Sequence, residues 1–261
     1  MVFSSLVFLC IFLPVVFVLH TIIPSIKVKN ALLIIASLFF YAYGESVYVL
    51  LMIFSSILNF LCAKWVATDS VKVNKIVMAV AIVINLAMLG VFKYTDMILS
   101  TVNSVFSTNI PLPHIVLPIG ISFFTFQALS YVVDVYRGVV GVQKNYFNVL
   151  LYISFFPQLI AGPIVKYRDV NDQIDQRTNS LDKCAKGLRR FIWGLSKKIF
   201  IANTMASAAD AIFAQSPDEL HILTAWLGAL AYLFQIYYDF SAYSDMAIGL
   251  GHMFGFDFKE K

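Results

Sequence analysis

Along this chain, apolar runs long enough to cross a bilayer are separated by short patches of charge. Nowhere do apolar and polar residues alternate with the period of two that a barrel strand requires. Residues 1–26 carry no charged side chain and lack the basic start and small-residue cleavage site of a secretory signal, so they read as a retained first span. Lys27 and Lys29 follow and place that loop in the cytoplasm by the positive-inside rule. The runs 30–44 and 46–63 break at Gly44-Glu45, and Lys64, Lys72 and Lys75 mark the cytoplasm again, which makes Glu45 a turn on the far side.

The same reading continues down the chain. The run 76–92 is expected to cross outward to Lys93, 97–110 to return before the Pro111-Leu112-Pro113 break, 115–133 to cross outward, and 145–165 to return. Residues 199–215 and 222–238 are further candidates, with 241–256 a separate helix. The expected fold is all-α, a polytopic membrane helix bundle of about eight to ten membrane helices, because lipid cannot satisfy an open backbone. It forms one membrane domain over residues 1–261. Composition agrees: 60% of residues are hydrophobic and 13% charged, and the mean hydropathy is +0.80, far from a soluble domain.

Charge alters the picture in one place. Nine of the 19 basic residues lie within 166–198, namely Lys166, Arg168, Arg177, Lys183, Lys186, Arg189, Arg190, Lys197 and Lys198. From residue 181 to 200, Leu181, Cys184, Leu188, Phe191, Ile192 and Leu195 recur at helical spacing, with the cations mostly on other faces, so a basic amphipathic helix along the cytoplasmic surface is expected. Two uses stay open for it: an interfacial helix held by apolar burial and anionic membrane lipid, or a docking surface for an acidic donor or carrier. Cys10, Cys62 and Cys184 have no paired spacing and read as packing residues.

Intramembrane ionisable groups are costly, which singles out Asp239 and Asp245 in the run QIYYDFSAYSDMAIGLGHMFGFDF, residues 235–258. On a helix Tyr238, Ser241 and Asp245 share one face, and Gln235, Asp239 and Ala242 the next. The carboxylates either line a polar tunnel or pair with Lys and Arg near the surface, while Ser241 and Ser244 suit close helix packing. In FFPQLIAGPIVKYRDV, residues 155–170, Pro157 and Gly162-Pro163 must break a helix at depth. Gln158 is then a pore-lining donor or the group that satisfies the broken turn. His114 and His221 read as interfacial. His252, in a glycine-rich stretch read as a turn, is a weak candidate for a base. No metal-ligand spacing, phosphate-cradling loop or nucleophile elbow occurs, and nothing points to nucleic acid.

Four stretches taken in order carry a resemblance: LPIGISFFTFQALSYVVDVYRG, FFPQLIAGPIVKYRDV, GLSKKIFIANTMA and QIYYDFSAYSDMAIGLGHMFGFDF. Together they resemble the membrane-bound O-acyltransferase family, in its bacterial branch of alginate O-acetylation. Ala242 stands where that pattern has glycine, and His252 where a basic residue is usual. The resemblance implies a multi-pass enzyme of the bacterial inner membrane with a tunnel through its centre, for which Gln158, Tyr238, Asp239, Ser241 and Asp245, singled out above by spacing and helix breaks, are the candidate lining residues. No cofactor is held, and the acyl donor is acetyl-CoA or an acyl carrier on the cytoplasmic side. The acceptor is an alginate-like exopolysaccharide served by extracytoplasmic acetylating partner proteins, or teichoic acid receiving D-alanine. The resemblance also places a catalytic histidine in a segment that follows GFDF, and these residues offer no match to that segment, so the histidine is expected beyond Lys261. No catalytic residue is therefore carried over, and the chain is expected to be the amino-terminal portion of a larger acyltransferase rather than a short product completed by a second chain. The rivals outside catalysis are a transporter subunit and a scaffold of polysaccharide export.

Overall fold

The structure is a computed structural model that describes residues 2–159, 165–216 and 220–259. It is helical throughout, with no strand among the described residues. Two helices are long and apolar enough to cross a membrane, Tyr48–Val66 and Val71–Phe106, and two shorter apolar segments, Phe8–Ile22 and Ile121–Tyr136, accompany them. The chain divides into two compact units, one holding residues 27–159 and 165–174, the other residues 2–26 and 175–259.

The first of these contains α2 (Ile26–Ala42, from its second residue), α3 (Tyr48–Val66), α4 (Val71–Phe106), α5 (Ile121–Tyr136), α6 (Tyr146–Ser154) and the start of α7 (Tyr167–Gln176). The expected break at Lys93 does not occur: α4 runs unbroken for 36 residues, about 54 Å. Charge alone does not end a helix, and no proline or cap lies between Phe92 and Asp96. Its real ends are chemical, with Ser70 Oγ accepting from Val73 N–H at 3.5 Å at the start and Ser107 in the left-handed region (φ 52°) before Pro111 at the close.

Residues 145–165 are not a span either. Asn145 caps α6 through Phe147 N–H at 3.0 Å, but the helix ends at Ser154, ahead of Pro157, after nine residues or about 13 Å. The Gly162-Pro163 break lies outside the described residues. Polar side chains knit this unit from within. Asn59 and Asn85, both fully buried, donate Nδ2 to each other's Oδ1 at 3.0 Å between α3 and α4, and each also donates to a carbonyl of its own helix. Asn30 donates to the Ile174 carbonyl at 2.9 Å, and Ser37 Oγ accepts from Phe156 N–H at 3.1 Å.

The second unit contains a π-turn at Phe8–Phe12, α1 (Leu13–Ile22), α8 (Leu181–Ser196), a second π-turn at Lys197–Ala202, α9 (Asn203–Phe213) and α10 (Ile222–Met253). Here too an expected boundary vanishes. Residues 222–238 and 241–256 are not two helices but parts of one 32-residue helix, since nothing between Tyr238 and Ser241 stops it. α8 crosses α10 at backbone contact. A Cβ on Gly187 would sit 2.5 Å from the Gly249 carbonyl, one on Gly249 2.6 Å from the Gly187 carbonyl, and one on Gly194 2.6 Å from the Ala242 carbonyl. Small residues seven apart on both helices thus remove the side-chain layer that normally separates two helices. Phe3 stacks on Tyr243 at 4.7 Å and Phe8 meets Phe191 at 6.5 Å, which ties the amino-terminal segment to the crossing.

Candidate functional site

Because α8 and α10 approach so closely, side chains flanking the glycines reach across. Asp245 Oδ1 accepts from Arg190 Nε at 3.1 Å and lies 3.1 Å from Nη2 of the same guanidinium, while its Oδ2 is 2.6 Å from Lys197 Nζ. Lys197 also lies 3.3 Å from Ser241 Oγ. One step along, Lys198 Nζ donates to Asp239 Oδ1 at 2.7 Å. Neighbouring residues of an α-helix point about 100° apart. The lysines stand at the entry to the π-turn, and both reach α10, where the carboxylates are six residues apart.

Of the two readings the sequence left open for the carboxylates, pairing with Lys and Arg is the one seen. Each oxygen of Asp245 accepts from a cation. The Asp245 side chain is 19% exposed against 47% for Asp239, which makes the first a half-buried node and the second a surface pair. Tyr238 packs edge-on to Tyr237 at 5.2 Å, and the side-chain oxygen of Gln235 is buried with no hydrogen bond among the described residues.

His252 corrects the sequence reading locally. It lies in the last turn of α10 rather than in a loop, because Gly249 and Gly251 serve close packing there, Gly251 against the Phe258 ring. The chain turns at Phe254-Gly255, where Gly255 takes φ +90°, a conformation that disfavours any side chain. His252 Nε2 lies 3.5 Å from Asp257 Oδ1. Lys183 Nζ takes the other oxygen at 2.6 Å and the Gly255 carbonyl at 2.8 Å. Arg177 Nε donates to the Phe254 carbonyl at 3.1 Å with its guanidinium 4.5 Å from the Phe256 ring centre. Burial pushes the Arg177 pKa down to about 10, which leaves it charged at neutral pH. The buried His20 ring meets Phe254 edge-on at 5.2 Å, with Nδ1 3.4 Å from Asn179 Nδ2. Sequence reasoning missed this clasp. Arg177 and Lys183 were visible only as members of a basic run, and nothing marked His20.

Gln158 belongs to the other unit. It is buried and donates Nε2 to the Tyr152 carbonyl, which also accepts from Gln127 Nε2 at 2.7 Å, so it satisfies backbone freed where α6 ends. Its Oε1 is buried without a hydrogen-bond partner among the described residues. Tyr238, Asp239, Ser241, Asp245 and His252 share α10. No group of three His, Cys, Asp or Glu that could hold a metal occurs among the described residues.

The cation-clamped helix lies inside a stretch that matches a known family model. Residues 141–261 match that of MBOAT, the membrane-bound O-acyltransferase family. These residues carry the domain of that family. Across its whole length it is 42% identical to the probable alginate O-acetylase AlgI of Pseudomonas aeruginosa and 41% identical to that of Azotobacter vinelandii. It is 34% identical over 97% of its length to the peptidoglycan O-acetyltransferase of Helicobacter pylori. The chain spans about half the length of the curated relatives it matches, 51% of the Pseudomonas protein, 53% of the Azotobacter one and 54% of the Helicobacter one. The teichoic acid D-alanyltransferase of Bacillus subtilis is 27% identical over 52% of the chain. The family-matched residues hold α6 to α10 and with them every candidate that the sequence singled out.

Proposed function

We propose that this chain is part of a bacterial O-acyltransferase that moves an acetyl group from a cytoplasmic donor, acetyl-CoA or an acyl carrier, to hydroxyls of an extracytoplasmic polysaccharide of the alginate type. The observation that carries the reading is identity of 42% with a probable alginate O-acetylase along the entire chain. D-alanyl transfer to teichoic acid is the weaker alternative, since that likeness covers only 52% of the chain. None of the four histidines is assigned to catalysis. In this reading Asp245, Arg190 and Lys197 position α8 against α10, the acceptor is presented by extracytoplasmic partner proteins, and no resident cofactor is needed.

The same reading makes it a multi-pass protein of the inner membrane. Positive-inside parity supports a cytoplasmic basic segment by a different count from the one the hydropathy runs suggest. Lys64, Lys72 and Lys75 lie inside, α4 crosses outward once, α5 returns, and α6 is too short to cross again. The two expected crossings that are lost, 97–110 and 145–165, cancel, so Lys166 and Arg168 stay on the side of Lys64.

The test is transfer of label from radioactive acetyl-CoA to polysaccharide in membranes containing the full-length gene product, compared with membranes lacking it. Label in the polymer that depends on the protein supports acetyl transfer. Label from D-alanine instead would favour the alternative, and polymer export without any acyl label would favour a transporter or scaffold.

A further inference from the structure

We propose that the outward face of α8 binds anionic phospholipid headgroups, with phosphatidylglycerol as the ligand to test. This goes beyond acyl transfer and rests only on the chain being a membrane protein. α8 has three faces. Gly187, Phe191 and Gly194 are buried against α10. Leu181, Leu188 and Ile192, spaced i, i+7, i+11, form an exposed apolar stripe, with Leu181 90% exposed. Lys186, Arg189 and Trp193, spaced i, i+3, i+7, form an exposed stripe beside it in which Trp193 is 69% exposed.

The four other cations of this helix and its π-turn have structural tasks. Lys183 holds Asp257, Arg190 and Lys197 hold Asp245, and Lys198 holds Asp239. Arg189 makes no ion pair among the described residues. Among the described residues Lys186 pairs only with Asp182, at 2.8 Å one turn back, an exposed pair whose effect is to lower the Asp182 pKa. Such a pair contributes little and yields readily to a better anion.

The two stripes make conflicting demands on any uniform surrounding. Water would not suit Leu181, Leu188 and Ile192 side by side, and hydrocarbon would not suit Lys186 and Arg189. The boundary between acyl chains and headgroups satisfies both, and tryptophan prefers that level. Two cations with weak or no internal partners then select headgroups of net negative charge over zwitterionic ones.

The experiment uses the full-length protein with Trp65, Trp226 and any tryptophan outside residues 1–261 replaced by phenylalanine, so that Trp193 alone reports. It is reconstituted in phosphatidylcholine with a minor fraction of brominated phosphatidylglycerol or, separately, brominated phosphatidylcholine. Excess quenching of Trp193 by the anionic lipid is expected. Lys186→Gln and Arg189→Gln should each lower the relative affinity roughly fivefold, and high salt should shrink the excess. Equal quenching by both lipids overturns the proposal. So does the absence of quenching by either, the result expected if an acidic protein carrier covered this face instead. Should the single-tryptophan variant not fold, native mass spectrometry of the otherwise unaltered full-length protein gives the same decision: phosphatidylglycerol retained and lost with K186Q/R189Q supports the site, and equal retention by both proteins overturns it.

Discussion

The α3–α4 contact and the α8–α10 contact solve the same problem, polar groups between closely packed helices, with opposite chemistry. Between α3 and α4 the polar groups are neutral, fully buried and reciprocal: Asn59 and Asn85 each donate to and accept from the other. Between α8 and α10 they are charged and half-exposed, and they sit beside a glycine crossing that brings the backbones together. An amide pair loses little on leaving water once every group is matched, whereas an ion must keep either solvent or several partners. Asp245 follows that rule with two cations on its two oxygens. Neutral pairs therefore join helices at full burial, and charged ones gather where water or headgroups remain in reach.

The strongest way to break the contrast is at the crossing itself. Gly249→Ala should cost about 3 kcal/mol, because the new Cβ meets backbone at 2.6 Å and one helix must move away. Gly90→Ala on α4, where a Cβ meets nothing within 4 Å, should instead stabilise by about 0.5–1 kcal/mol through helix propensity. Unfolding equilibria in mixed micelles compare the two directly. Equal effects would mean that the α8–α10 approach is not limiting.

Next in size is Asp245→Asn. It removes the carboxylate that Arg190 and Lys197 share, at a cost of about 2 kcal/mol, below that of a fully buried pair because these side chains keep some solvent. Acyl transfer by the full-length protein should fall more than its accumulation in the membrane if the node positions α8. Equal loss of both would assign Asp245 to folding alone.

How far the sequence discloses this depends on the residue. Asp239 and Asp245 could be singled out because a carboxylate in an apolar run is expensive, and that argument needs no structure. Their partners could not be named, since 41 to 55 residues of chain separate each pair and many cations were available. The seven-residue spacing of Gly187 with Gly194, and of Ala242 with Gly249, was a readable signal of a close crossing that went unread. Helix continuity failed for a different reason. Lys93 in α4 and Asp239 in α10 look like loop residues in a hydropathy pattern, yet only proline, glycine conformation or a cap ends a helix, and none stands beside them. The end of α6 ahead of Pro157 is legible in the sequence, and Gln158 donates to the Tyr152 carbonyl there.

Smaller effects sharpen the comparison. Asn59→Leu should cost about 1 kcal/mol, since Asn85 keeps its bond to the Ala81 carbonyl but its own oxygen loses a donor at full burial. Replacing both by Leu should recover most of that loss, because no polar atom is then left over. Failure to recover would show that the pair fixes helix register in addition to satisfying itself.

Asp239→Asn is the weakest case and the most discriminating. Its partner Lys198 is only 24% exposed, but Asp239 itself is 47% exposed, so water can replace the lost charge. The cost should be no more than about 0.5 kcal/mol, within the range of surface ion pairs. An effect as large as that of Asp245→Asn would mean that Asp239 works in a drier surrounding than its exposure indicates, as it would if lipid or another part of the full-length protein covered that edge of α10. In that event solvent would no longer explain the difference between the two carboxylates, and the number of cations each one holds would have to.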